Sequence, residues 1–211
     1  MVPAPASSET PAAARRRVAE AARERFLASG FSAVTMDDIA AGLGMSKKTL
    51  YELFPGKREL LLATTRLNRD ECQRELAAIA REETDFFARA RRTFAYIARM
   101  YSRLSPAYMT DVRRNAPEVW AEIQEFRRTR VRGFMLELLD QGARQGVLRR
   151  DLDRDALVRL YLTMTTALLT PEISGWAGGE RIGDVFETFV RVYFEGLITE
   201  AGRRRLAGRP R

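Results

Sequence analysis

The chain has 211 residues, 45% apolar and 30% charged, with no histidine, one cysteine (Cys72) and a formal charge of +8. That length suffices for a sizeable core, while the residue counts exclude zinc sites of His and Cys, Ser-His-Asp and Cys-His nucleophiles, and an intrachain disulfide. Five arginines lie in residues 203–211, leaving +3 for the rest, whereas all three lysines, Lys47, Lys48 and Lys57, fall within eleven residues, which marks that stretch as a candidate phosphate-contacting site.

Residues 1–11, rich in Pro, Ala and Ser, read as a disordered arm and not as an apolar leader. From there the period is helical almost throughout. Val18, Ala22 and Phe26 recur at i, i+4 and i+8, and Gly30 closes that helix. Short helices follow over 36–43 and 46–54, before Pro55-Gly56 breaks the chain. A long helix spans 57–83, another 85–104, a short one 106–113, and a long one 117–145 ending at Gly146. A helix over 153–169 starts at Asp153, a Gly-rich loop crosses 171–179, and the final helix covers 181–200. Alternating strand patterns and repeats are missing, so the fold class is all-α with about nine helices. The longest uncharged stretch, 160–171, is 12 residues, short of the roughly 20 a membrane span requires. A cytoplasmic location is expected.

The stretch 35–57 carries the chemistry. Thr35 is an N-cap, with Asp38 three residues on completing a capping-box pattern. Ile39, Ala40 and Leu43 form an apolar face, Gly44 sits at the turn, and Ser46 caps the next helix. Leu50 and Phe54 face inward, leaving Lys47, Lys48, Thr49 and Tyr51 outward or sideways. A short helix of that kind suits the DNA major groove, its partner helix crossing the backbone. Lys48 matches guanine acceptors and Thr49 a thymine methyl. Tyr51 and Lys57 suit phosphate oxygens, as do the helix starts at Thr35 and Ser46. Packing of Tyr51 against the first helix is the alternative use of that ring.

Residues 12–62 resemble the N-terminal domain of the TetR/AcrR family of bacterial transcriptional regulators. The resemblance is carried by Gly30-Phe31, Thr35, Ile39-Ala40, Leu43-Gly44, Met45-Ser46, Thr49-Leu50-Tyr51, Phe54, Lys57 and Leu60-Leu61. It implies a helical C-terminal domain that binds a small ligand, a homodimer, and repression. The chain departs from the usual pattern at Glu52-Leu53.

The expected organisation is an arm (1–11), a helix-turn-helix domain (12–56), an effector-binding and dimerisation domain (57–202) and a basic tail (203–211). Leu157, Leu160 and Met164 on one late helix, and Val185 and Val192 beside Phe189 on the last, give those helices more apolar surface than one core-facing stripe needs. Two such helices per subunit suit a four-helix dimer interface. Burial of both faces in a larger core is the other outcome. Phe94, Tyr101, Tyr108, Met109 and Trp120, with Thr163 as a polar candidate, serve a core or line a mostly apolar effector pocket.

The expected function is a sequence-specific regulator, a ligand-responsive repressor acting as a homodimer on a palindromic operator, with an apolar or aromatic effector and no cofactor. A nucleoid-type protein without sequence preference is the rival. An enzyme is not expected, since there is no histidine, Gly-rich phosphate loop or clear carboxylate pair.

Overall fold

A computed structural model describes residues 10–170 and 182–208. Residues 1–9 of the expected arm, the expected loop at 171–179 and the tail end 209–211 lie outside the described residues. The described chain is helical, with one isolated antiparallel bridge between Leu148 and Ile198.

Helix α1 (Pro11–Ser29) starts behind Thr10, whose side chain accepts from Ala13 N at 3.3 Å, and has proline at its first position. Gly30, at φ 88°, terminates it in a conformation that other residues resist. Helix α2 (Met36–Gly42) carries the anticipated capping box. Asp38 N donates to Thr35 Oγ1 at 3.1 Å, and Thr35 N donates to Asp38 Oδ2 at 2.8 Å. Gly44, at φ 59°, makes the turn into α3 (Lys47–Leu53), where Ser46 Oγ accepts from Thr49 N at 3.1 Å. Val18, Ala22, Phe26, Ile39, Leu50, Phe54, Leu60 and Leu61 are sealed from solvent and hold the three helices to the start of α4 (Lys57–Glu82). That core explains the spacing: each apolar residue lies on the single inward stripe of its helix.

Helix α4 runs 26 residues, from the head into the body. There it meets α5 (Phe86–Ser102), α6 (Pro106–Asn115) and α7 (Pro117–Phe126). The long helix expected over 117–145 is continuous but contains a π-helical turn, Arg127–Val131, before α8 (Arg132–Arg144). Thr129 Oγ1 donates back to Glu125 O at 2.8 Å within it, a side-chain bond that competes with the regular backbone ladder. Helix α9 (Arg154–Leu168) is capped by Asp153, and α10 (Ile182–Glu195) packs along α5. An aromatic cluster joins them: Phe94, Tyr161, Phe186 and Phe194 stand with ring centroids 5.1–6.3 Å apart in tilted pairs, a favoured arrangement for ring quadrupoles.

The final helix expected over 181–200 is two helices. Helix α10 stops at Glu195, and residues 197–199 pair with 147–149: Arg149 N donates to Leu197 O at 2.9 Å and Thr199 N to Val147 O at 3.0 Å. Thr199 then caps α11 (Glu200–Ala207) by accepting from Gly202 N at 3.0 Å. Gly202 is needed here, since a Cβ would lie 2.6 Å from Val147 O. The tail expected from 203 is therefore helical through 207, and Arg205 reaches Asp85 at 2.5 Å.

Candidate nucleic-acid interface and effector cavity

Helix α3 buries Leu50 and exposes Ser46, Lys47, Lys48, Thr49 and Tyr51. Tyr51 is 48% exposed, so its ring is not part of the head core. Lys48 is the least encumbered of these groups: its side chain is 88% exposed and its nearest acid, Glu52, is 4.0 Å away. Lys47 is engaged. Its ammonium lies 2.6 Å from Asp37 on α2, and that hydrogen bond and charge raise its pKa. Thr49 Oγ1 lies 2.8 Å from Ser46 Oγ, and Thr35 Oγ1 donates to Asp38 at 2.6 Å. The caps therefore hold their own hydroxyls while the backbone ends of α2 and α3 stay at the surface.

Two arginines that the sequence pattern did not single out support this face. Arg15 of α1 donates to Leu53 O at the end of α3, with its guanidinium 4.3 Å from the Phe54 ring centroid. Arg25 lies over Gly42 so closely that a Cβ there would meet its Nη2 at 2.1 Å. Neither belongs to the 35–57 stretch, and helix periodicity carries no signal for such cross-helix contacts.

Lys57 behaves differently from a simple phosphate contact. Its ammonium donates to Ser32 O at 3.1 Å and sits 4.5 Å from the Phe31 ring centroid. Burial there lowers its pKa despite nearby Asp111 and Asp38. It thus clasps the α1–α2 connection to α4. The same connection is tied to α6: Ser32 donates both its backbone N–H and its hydroxyl to the Asp111 carboxylate. Asn115 Nδ2 donates to Ser32 Oγ at 3.0 Å and to Asp111 Oδ1 at 2.5 Å. Burial tends to raise the Asp111 pKa, but these hydrogen bonds and the Lys57 charge outweigh it and leave the carboxyl below its ordinary value.

Residues 18–64, the head and the first turns of α4, match the family model for bacterial regulatory proteins of the tetR family. Over these residues the chain is similar to that family's N-terminal domain. Over 176 residues, 81% of the chain and 88% of the relative, it is 24% identical to the uncharacterized HTH-type transcriptional regulator YvaF of Bacillus subtilis. The fold extends along most of the chain. A tetR-family regulator from Agrobacterium tumefaciens superposes with a TM-score of 0.72 at 16% identity, covering 90% of this chain and 100% of that one. The ketosteroid regulator KstR2 of Mycobacterium tuberculosis gives 0.62 at 22%, over 89% and 96%. A regulator from Saccharomonospora viridis solved with choline gives 0.65 at 22%, over 89% and 98%.

The body contains a partly open cavity of about 140 Å³. Its walls come from α4, α5, α6, the Phe126–Val131 stretch and α9, and include Tyr101, Tyr108 and Met109. Burial pushes the Tyr108 phenol up to about 12, so it stays neutral. The other three residues put forward for the pocket lie elsewhere. Phe94 is in the aromatic cluster, Trp120 is half-buried at the margin of the core, and Thr163 is exposed on α9. Helical spacing could not separate a residue lining a void from one filling it, because both lie on inward faces. Cys72, Arg69 and Arg127, which the sequence pattern did not select, do line the cavity.

Leu160, Met164 and Val192 are 50%, 41% and 64% exposed. Leu157, Val185 and Phe189 are half-buried on the same two helices, α9 and α10. Exposed large side chains concentrated there form an apolar face that the single protomer leaves open. Among the described residues no helix is long and apolar enough to cross a membrane, and no cluster of three potential metal ligands occurs.

Proposed function

We propose that this protein is an effector-responsive repressor of the tetR family in the cytoplasm, binding a palindromic operator as a homodimer. The head of residues 12–56 reads DNA, and the body of residues 57–202 dimerises and senses the effector. Lys48 and Thr49 are assigned to base edges, and Lys47, Tyr51 and the N-terminal ends of α2 and α3 at Thr35 and Ser46 to phosphates. Lys47 must leave Asp37 or share it with a phosphate. Lys57 acts chiefly as a clasp.

The observation that carries the reading is the position of α6. Its first half lines the cavity with Tyr108 and Met109, and its second half holds Ser32 through Asp111 and Asn115. An apolar effector that displaces α6 would pull the α1–α2 connection and re-aim α3. In a dimer joined through Leu157, Leu160, Met164, Val185, Phe189 and Val192, that changes the separation of two recognition helices, which must match half-sites roughly 34 Å apart. A coupling of about 1–3 kcal/mol gives a 5- to 150-fold change in operator affinity.

The test is selection of DNA by the purified protein, followed by titration of the selected sequence and a scrambled version over a salt series. A palindromic consensus bound far more tightly than the scramble is expected. Equal affinity for both would overturn the reading in favour of a nucleoid-type protein.

A further inference from the structure

We propose that the effector cavity takes a small apolar monocarboxylate and that Arg127 holds its carboxylate; this rests on reading the cavity as the effector site. Among the described residues its wall contains three arginines, Arg69, Arg103 and Arg127, and no aspartate or glutamate. Two of the arginines are matched by acids outside the wall: Arg69 lies 2.8 Å from Glu122, and Arg103 pairs with Glu24. Arg127 is not so matched among the described residues. Its guanidinium donates to Tyr101 Oη at 3.2 Å, Leu162 O at 3.1 Å, Thr165 Oγ1 at 2.6 Å and Thr166 Oγ1 at 3.2 Å. All four acceptors are neutral. The two threonine hydroxyls are fixed as acceptors, because each donates its own proton to a backbone carbonyl, Tyr161 O and Leu162 O, at 2.8 Å.

Neutral dipoles satisfy hydrogen bonds, but they do not cancel a half-buried positive charge. An entering carboxylate does both, and the fork of a guanidinium matches it. Arg69 Nε is buried in the same wall without a hydrogen-bond partner, offering a further polar contact. The remaining surface is largely apolar, with Leu76, Ile97, Ile123 and Leu169 contributing. The cavity volume of about 140 Å³ is close to the 150 Å³ or so that accommodates benzene. The fitting ligand is therefore an acid of about six to ten heavy atoms, and an organic cation of that size is disfavoured. The π turn that Arg127 opens is consistent with this use, since such turns recur at functional sites.

The experiment uses the full-length protein and two variants, Arg127→Gln and Arg127→Lys. Calorimetric binding is measured for butyrate through octanoate and benzoate, each beside its neutral amide. The wild type should bind the best-fitting carboxylate about ten-fold or more tightly than its amide. Arg127→Gln should bring the two within about two-fold, and Arg127→Lys should keep the preference at lower affinity. Equal binding of acid and amide by the wild type, or a preference that survives Arg127→Gln, removes the carboxylate assignment while leaving the cavity as a binding site. Binding of no acid and no amide removes the effector reading of the cavity itself and the proposal with it. Melting curves of each variant verify folding. If Arg127→Gln does not fold, the wild-type acid–amide comparison and Arg127→Lys decide.

Discussion

Replacing Asp111 with alanine tests whether the α6 latch couples the cavity to the DNA-binding head. The carboxylate accepts three hydrogen bonds, from Ser32 N–H, Ser32 Oγ and Asn115 Nδ2. A hydrogen bond to a charged group contributes about 1.5–3 kcal/mol in a buried setting. Asp111 is only half-buried, so water replaces part of what is lost, and about 1 kcal/mol per bond is the appropriate scale. The variant should lose about 2–3 kcal/mol in total, a melting shift of roughly 4–12 °C for a chain of this size. The pH dependence has a definite sign. The folded carboxyl titrates below its unfolded value, near 3.9. Its contribution is therefore present above about pH 4 and disappears as pH falls through the folded value. Asp111→Ala should flatten that acid limb. Operator affinity without effector should change little, because the face of α3 is untouched, whereas the effector-induced loss of affinity should shrink toward none. Thermal unfolding between pH 3 and 7, with operator titration in the presence and absence of a bound acid, measures both. An unchanged melting temperature would show that the latch carries no energy, and a full effector response in a destabilised variant would show that the signal takes another route.

Lys48→Ala should remove about 1–3 kcal/mol of discrimination between the selected operator and its point variants, read from paired titrations. Lys57→Met should reduce the salt slope by less than one full unit, since its ammonium is already committed to Ser32 O and the Phe31 ring. Leu160→Asp and Val192→Asp change residues that are at least half exposed in the protomer. Each should yield a folded monomer by sedimentation with weakened operator binding, and a variant that remains dimeric at micromolar concentration would exclude that face as the interface. Burial pushes the Cys72 thiol up to about 11. Alkylation at pH 8 should therefore be slower in the native protein than in urea by on the order of 10²-fold, and comparable rates would contradict its burial.

The DNA-binding head was almost wholly legible in the sequence. Thr35, Asp38, Ser46 and Gly44 are local signals, each acting within three or four residues, and Leu50 and Phe54 fix which side of α3 faces inward. Even there, the intramolecular contacts of Lys57 were not legible. An exposed phosphate contact and a clasp on Ser32 look identical in a sequence, because the Ser32 carbonyl is 25 residues away. The end of the chain shows the same limit. Phe189, Tyr193 and Leu197 keep helical spacing past Glu195, so periodicity extends the helix, yet the backbone of 197–199 pairs instead with 147–149.

The sequence by itself determined the all-α class, the two capped helices of the head and the excess apolar surface of α9 and α10, since periodicity and capping are short-range properties of the chain. Only the tertiary structure decided that Tyr101, Tyr108 and Met109 border a void while Phe94 fills the core, that Thr163 belongs to an open face, and that Arg127 lines the cavity with no acid paired to it among the described residues. Those outcomes depend on which side chains from α4, α5, α6 and α9 meet around the π turn, and that closure is a sum of long-range contacts on which no one helix carries the information.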